Sequence, residues 1–490
     1  MAEQPYTTVI GLEVHVQLAT KSKLFCRCST QFGAEPNTQT CSVCMGLPGT
    51  LPVMNAHAFE LAMQTAIALN CDIPEFTKWD RKQYYYPDLP KGYQISQFDL
   101  PMSSDGYLEI SDPKERFEPK KVRILRAHLE EDAGKSIHDE AAGKADTEID
   151  LNRTGTPLLE IVSEPDMRSS LESRAYLQEL KLLLTYIGVS DCNMQEGSLR
   201  VDANVNLHLE EGGEKIATPI VEIKNMNSFR AVERAIDYEA ERQWREWQET
   251  GRKLGESPKQ TRGWDDAAGV TRGQRSKEES SDYRYFPDPD LMPVVTKAEQ
   301  VEEVRATLPE LPAGLRQRLG EEYSLNAYDS DVLVNQGRGV VDYYLSAADA
   351  SGNPKLTCNW VTQEVLRELK EQEIAIDDFG VTAERLSGLV KAIDDSLVPG
   401  PRGKEVFATM LAKNCDVETA TKELGIEQVD ESELVALCQE LVDANPKIVA
   451  DVKAGKMQAI GALIGQAKAR NPNVDPGRVR EICLELAQKA

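Results

Sequence analysis

A chain of 490 residues, 41% hydrophobic and 28% charged, has room for two or three domains with their own cores and is not disordered by default. It has no apolar run of about 18 residues, and its opening Met1-Ala2-Glu3-Gln4-Pro5 lacks the apolar core of a signal peptide and the arginine-rich character of a transit sequence, so a cytoplasmic protein without membrane contact is expected. A formal net charge of -25 excludes a surface that coats nucleic acid generally, because displacing phosphate counterions needs positive potential; any such contact must be local.

The stretch Gly11-Leu12-Glu13-Val14-His15-Val16-Gln17-Leu18 alternates strictly. It predicts a strand with Leu12, Val14, Val16 and Leu18 on one face and Glu13, His15 and Gln17 on the other. Cys26, Cys28, Cys41 and Cys44 follow as a C-x-C and a C-x-x-C pair that close a loop of about a dozen residues, with Pro36, Asn37 and Thr38 as turn residues between them. Thiolates so paired suit one tetrahedral zinc ion in a closed structural shell. The other six cysteines (Cys71, Cys192, Cys358, Cys415, Cys438, Cys483) are scattered singly, which fits a reducing compartment better than a disulfide framework. No cysteine stands out as a nucleophile, and neither a G-x-S-x-G nor a Ser-Lys amidase pattern is evident.

Around Arg126-Ala127-His128-Leu129-Glu130 the polar face of a second strand carries Arg, His and Glu. The adjoining Asp132-Ala133-Gly134-Lys135-Ser136 mimics the end of a phosphate-binding loop, but Leu129 stands where G-x-x-x-x-G-K-S needs its first glycine, so that loop is rejected. Glu160 lies in the apolar run Leu158-Leu159-Glu160-Ile161-Val162 and must find a partner or a metal there. Apolar residues at helical spacing predict helices over 170–187 and 229–249, stopped by Gly188 and Gly251.

Between these helices, every odd position from Leu199 to Leu209 is apolar and every even one polar, and Val221-Glu222-Ile223-Lys224 alternates too. Asp and Asn are depleted in strands, so Asp202, Asn204 and Asn206 on one face ask for a reason beyond solvation. The expectation is an antiparallel sheet with one core face and one face dense in carboxylates, amides and imidazoles. Such a face suits magnesium-dependent phosphoryl transfer, in which hard oxygens hold the metal and cations neutralise phosphate charge. The bland reading is the solvated face of a half-buried sheet.

After the proline-rich segment 285–293 the pattern turns to helices rich in Leu, Ala, Glu and Lys, and a second break falls at Val398-Pro399-Gly400-Pro401-Arg402-Gly403. The fold class expected is α+β: a mainly antiparallel-sheet domain over 1–295, an all-α domain over 296–405 and a helical tail over 406–490. From Asp451 onward the tail has seven basic residues (Lys453, Lys456, Lys468, Arg470, Arg478, Arg480, Lys489) against four acidic ones, which reads either as a local phosphate-binding patch or as an ordinary helical face.

Five longer segments are familiar: Gly11-Leu12-Glu13-Val14-His15-Val16, Phe32-Gly33-Ala34-Glu35-Pro36-Asn37, residues 86–97 (Tyr-Pro-Asp-Leu-Pro-Lys-Gly-Tyr-Gln-Ile-Ser-Gln), residues 150–160 (Asp-Leu-Asn-Arg-Thr-Gly-Thr-Pro-Leu-Leu-Glu) and Asp282-Tyr283-Arg284-Tyr285-Phe286-Pro287. Together they closely resemble the B-subunit family of aspartyl/glutamyl-tRNA amidotransferases, along the full length. The resemblance implies a glutamine synthetase-like catalytic fold and a tRNA-binding tail. It also implies a reaction in which ATP phosphorylates the side-chain carboxylate of misacylated Glu-tRNA(Gln) or Asp-tRNA(Asn) and ammonia displaces phosphate. The family's glutaminase (its A component) would deliver the ammonia through a channel, and a small third protein (its C component) would brace the heterotrimer.

By the same resemblance, Glu13, His15, Glu131 and Glu160 are magnesium positions, whereas alternation points at Glu130 instead of Glu131. Two adjacent acids on a continuing strand cannot both face the site. Lys82, Arg200, Asp202, Glu222, Lys224 and Asn225 are candidates to contact phosphate, a second metal or the acyl carboxylate. Tyr84, Tyr85, Tyr86 and Tyr93 either stack on the terminal adenosine of the tRNA or pack under a loop. Two rivals stay open, a non-catalytic zinc-containing RNA-binding component and a zinc hydrolase using Glu13 and His15, the second disfavoured because four thiolates close the zinc shell.

Overall fold

The alternating segments pair into one nine-stranded sheet. Its strands in chain order are β1 (Thr7–Gln17), β2 (Ser103–Ile110), β3 (Lys120–Glu131), β4 (Pro157–Ser163), β5 (Leu199–Glu211), β6 (Glu214–Ala217), β7 (Val221–Lys224), β8 (Gln260–Asp265) and β9 (Val270–Gly273). The spatial order is β9-β8-β7-β5-β1-β4-β3-β2, with β6 pairing to β5. The computed structural model describes residues 5–138, 146–274, 283–426, 430–453 and 456–489; Asp282 of the last familiar segment lies outside them, as does the side chain of Lys489.

Every pairing is antiparallel except β7 with β8. A parallel pair cannot be closed by a tight turn, and the connection here is a long helix, α3 (Phe229–Thr250), which lies against β5. It starts where Ser228 accepts the N–H of Ala231 and stops where Gly251 takes a left-handed conformation (φ 63°). Two further helices, α1 (Ala56–Ala68) and α2 (Ser170–Tyr186), lie against β3 and β2, so all three cover one face of the sheet. Leu12, Val14 and Val16 of β1 and Val201, Ala203 and Val205 of β5 are buried in the resulting core. Their alternate neighbours Glu13, His15, Gln17, Arg200, Asp202 and Asn204 are left on the opposite, polar face.

Strand β3 reaches the same arrangement by a detour. Val122 and Ile124 point into the core, but the register shifts between Ile124 and Arg126, leaving Leu125 46% exposed. One extra residue flips the phase, so Ala127 and Leu129 fill the core while Arg126, His128 and Glu130 face the polar side.

The chain divides into two units, Met1–Gly314 and Leu315–Ala490. The second is helical, as expected of the C-terminal half. Its tail helices Glu431–Ala444, Pro446–Lys453, Gly461–Arg470 and Pro476–Lys489 enclose a small core that includes Leu434, Leu441, Leu463 and Val479. Three of the tail's basic residues sit in surface ion pairs: Lys456 with Asp451 (3.0 Å), Arg470 with Glu440 (3.0 Å) and Arg478 with Glu481 (2.9 Å). Exposed pairs contribute little, so these cations can exchange partners at small cost. Among the described residues, no helix is long and apolar enough to cross a membrane.

Candidate active site

The strand registers bring four polar side chains into line across four strands. His128 of β3 stands opposite Glu160 of β4, Glu160 opposite His15 of β1, and His15 opposite Arg200 of β5. Glu160 Oε2 lies 3.5 Å from His128 Nε2 and 3.6 Å from His15 Nε2, and Glu130 is 3.9 Å from His128. His15, Glu130 and Glu160 could together hold a metal ion, their ligand atoms lying within 4.8 Å of one another. Glu131 faces the other way: it pairs with Lys91 and accepts the N–H of Ile95 (3.0 Å). The structure thus gathers Glu130, and not Glu131, with His15 and Glu160.

These groups set each other's protonation. Burial, reinforced by the Glu160 charge, pushes the Glu130 carboxyl up to about 7. Burial brings the His128 imidazole down to about 4 against the pull of Glu160, so it is neutral near pH 7. Burial also works against a charged His15, but the hydrogen bond and charge of Glu160, then Glu130 and Asp202, outweigh it and leave His15 raised. Glu160 is held below the ordinary glutamate value: burial opposes this, and His128, His15 and Lys82 overcome it. One carboxylate stays ionised between imidazoles beside another that takes up a proton readily.

A second acid cluster lies one row along, where Glu13, Asp202 and Glu222 have oxygens within 4.8 Å of one another. Asn204 donates to Glu13 Oε1 (2.8 Å), Lys224 contacts Asp202 (2.6 Å) and Glu222 (3.5 Å), and Thr261 donates to Glu222 (3.0 Å). Among the described residues, His128 Nδ1 and Asn204 Oδ1 are buried with no partner, which marks the face as one built to meet something further. A cleft of about 720 Å³ opens over the His15, Gln17, Arg200 and Asp202 end of this face, bordered by Lys135, Arg153, Lys224 and Asn225. Asn225 turns the chain there in a left-handed conformation (φ 65°).

Asp132 has a role that its residue type and spacing did not reveal. It is buried and accepts two hydrogen bonds from Arg200 (2.9 and 2.9 Å) and one from Gln17 (2.7 Å), which aims the guanidinium along the cleft floor. The Gly-Lys-Ser beside it proves to be packing: a Cβ on Gly134 would meet Asp150 O at 2.8 Å and Asp88 O at 2.9 Å, and Lys135 starts a strand paired with Thr147–Asp150 instead of a helix. Asp132→Ala strands Arg200 and is expected to cost about 2–3 kcal/mol, discounted for the part-exposed arginine and read from the denaturant midpoint.

The four cysteines come together in the loop after β1. Their sulfurs lie within 4.8 Å of one another, Cys41 and Cys44 at 3.9 Å, close to the roughly 3.8 Å edge of a tetrahedron with zinc–sulfur bonds of about 2.3 Å. This set could hold a metal ion and is compatible with structural zinc. The Cys44 thiol is drawn down to about 4, chiefly by a hydrogen bond from Cys26, with further help from the Cys41 N–H and Lys23; Cys26 is raised in exchange. The loop is tied to the segment leading into β4: Asn37 donates to Ile149 O (3.0 Å), Gln39 N–H to Asn152 Oδ1 (2.8 Å) and Leu24 N–H to Gly155 O (2.9 Å).

Lys82 stands on the strand Asp80–Gln83 with Nζ 4.8 Å from the Tyr283 ring centre. Burial opposes its charge, but Glu130, Tyr285 and Glu160 hold its pKa above the ordinary lysine value. Tyr84 and Tyr86 stack on each other (4.7 Å), Tyr93 lies under the Arg81 guanidinium (4.2 Å) and Tyr85 is exposed.

Residues 8–302 match a family described as the GatB/GatE catalytic domain, and residues 342–486 one described as the GatB domain. The chain is 59% identical over 485 residues to the B subunit of the aspartyl/glutamyl-tRNA(Asn/Gln) amidotransferase of Rhodopirellula baltica, covering 99% of this chain and 97% of that protein. The corresponding protein of Carboxydothermus hydrogenoformans is 47% identical over 487 residues (99% of each chain), and that of Thermoanaerobacter pseudethanolicus 45% over 487 residues (99% and 100%).

Proposed function

The chain belongs to the GatB/GatE family of aspartyl/glutamyl-tRNA(Asn/Gln) amidotransferase B subunits, and on that footing we propose that the polar face of its sheet is the carboxylate-activating site. It is one subunit of a ligase-type, tRNA-dependent amidotransferase. The observation that carries the site assignment is the row His128, Glu160, His15 and Arg200 across four strands, flanked by the Glu13, Asp202 and Glu222 cluster. The substrates are misacylated Glu-tRNA(Gln) or Asp-tRNA(Asn) and ATP, and the sheet is read as a glutamine synthetase-like catalytic fold.

A side-chain carboxylate resists amidation because its charge repels a nucleophile and oxide is a poor leaving group. One of its oxygens attacks the γ-phosphorus of ATP, the bond to the bridging oxygen breaks, and ADP and an acyl phosphate form. Ammonia then adds to the acyl carbon, the bond from that carbon to the phosphate oxygen breaks, and the proton lost by nitrogen ends on the departing inorganic phosphate, giving the amide. Arg200, aimed by Asp132, and Lys224 with Arg153 and Lys135 at the cleft wall supply the positive charge that a triphosphate needs. His15, Glu130 and Glu160, with Glu13, Asp202 and Glu222 beside them, are oxygen-rich donor sets that suit hard divalent cations. When bound there, Mg²⁺ supplies neutralisation of the phosphate charge and orients the transferring group.

Ammonia comes from a separate glutaminase, which fits the lack of any amidase pattern in this chain, and a small third protein completes a cytoplasmic heterotrimer. Zinc on the four cysteines is structural. The test is reconstitution with the glutaminase and the small third protein: misacylated tRNA should stimulate ADP release, and ammonia should convert it to Gln-tRNA(Gln) or Asn-tRNA(Asn). ADP release indifferent to the acyl-tRNA would sink the reading. The tail is read as the tRNA-binding part, so ending the chain near residue 410 should weaken tRNA binding about tenfold or more and leave nucleotide affinity unchanged, as measured by titration of each ligand.

A further inference from the structure

Phosphoryl transfer in line places donor and acceptor on opposite sides of the moving group, so a site entered by ATP through the basic cleft needs a second entrance for the acyl-tRNA. The cleft opens at the Gln17 and Arg200 end of the polar face. The diagonally opposite corner is reached through Arg126, which pairs with Val162, itself paired with Glu13. There Phe98 lies flat on Tyr285, with ring centres 4.2 Å apart and planes 9° apart, and Phe98 remains 48% exposed. Arg126 Nη1 donates to Phe98 O (3.1 Å), while Arg126 Nε is buried with no partner among the described residues. Tyr283 meets Tyr285 edge-on at 6.1 Å and carries Lys82 over its ring, on the side where Lys82 feels Glu130 and Glu160.

An exposed ring backed by a second, half-buried one and flanked by a guanidinium and an ammonium is what an unpaired nucleobase and its phosphate select: the outer ring offers a stacking face and the cations meet the backbone. None of Phe98, Tyr285 and Arg126 lines the basic cleft. We infer that the 3′-terminal adenosine of the acylated tRNA stacks on Phe98, with Tyr285 beneath it and Arg126 at its phosphate, so that the attached acyl group extends toward Glu130 and Glu160. This rests on the carboxylate-activation reading above and adds where the acceptor enters.

The decisive experiment compares the affinity of the assembled complex for tRNA with and without its terminal adenosine. The parent complex should bind the intact tRNA about tenfold better, Phe98→Ala should erase that preference, and Phe98→Trp should restore it. In turnover, Phe98→Ala should raise the KM for misacylated tRNA about tenfold and leave the KM for ATP alone. A preference that survives Phe98→Ala, or a rise confined to the KM for ATP, overturns the inference and in the second case hands the platform to the ATP base. The binding ratio needs no turnover, so it decides the matter even if the parent complex releases no ADP, an outcome that would instead remove the activation reading.

Discussion

Glu160→Gln is expected to lower acyl-tRNA-dependent ADP release and amide formation about a thousandfold or more while the chain stays folded. Among the described residues, Glu160 is the one carboxylate within 4 Å of both imidazoles, 3.6 Å from His15 and 3.5 Å from His128. Glutamine keeps its shape and removes its charge. Charge stabilisation at a metal-assisted phosphoryl site is worth several kcal/mol, and a loss of about 4 kcal/mol corresponds to roughly a thousandfold. The fold should tolerate the change because Leu159 and Ile161 still fill the core on the other face, and β4 keeps both neighbouring strands. No buried charge is stranded either. Glu160 leads the effects that raise His15, so without it burial returns that imidazole toward its neutral form near pH 7. A protein that merely bound RNA would be indifferent to this substitution. Activity surviving Glu160→Gln, Glu13→Gln and His15→Ala alike would end the phosphoryl-transfer reading.

Much of this site is legible in the residues alone, and the parts that are not share a cause. Strand β1 alternates from Leu12 onward and β5 alternates in apolar and polar residues from Leu199 to Leu209, so Glu13, His15, Arg200 and Asp202 can be assigned to one face before any pairing is known. Alternation with Arg126 and His128 already places Glu130 on that face, but the change of phase from Val122 and Ile124 is hidden, because the leucine at the bulge, Leu125, looks like a core residue although it is half exposed. Only the pairing with β4 shows that shift. Asp132 is hidden for a related reason: its value lies in Arg200, a partner distant in the chain, while its immediate neighbours mimic a phosphate loop. Phe98 and Tyr285 likewise meet only through tertiary folding. Local periodicity reports faces, and long-range register decides which groups on those faces become neighbours.

Cys41→Ser should separate stability from chemistry. The expected result is loss of bound zinc and a drop of about 3–5 kcal/mol in the stability of the cysteine loop, with kcat changed by no more than about threefold wherever the chain remains folded. The loop has little apolar core of its own: Phe32, Leu47 and Leu51 are exposed, and its order depends on the four converging sulfurs and on the hydrogen bonds to the segment 149–155. Removing one thiolate opens the shell and leaves Lys23, fully buried and 3.8 Å from Cys44 Sγ, facing a site that no longer gathers negative charge. Glu160, by contrast, is held by β1 and β3 as well as by its own strand, so loosening the loop behind it should move it little. The comparison to make is metal content and thermal midpoint against single-turnover ADP formation on the same preparation. Chemistry lost at temperatures where the variant is fully folded would place the cysteines in the reaction and revive the zinc hydrolase; stability lost with chemistry intact assigns the reaction to the carboxylates on the sheet.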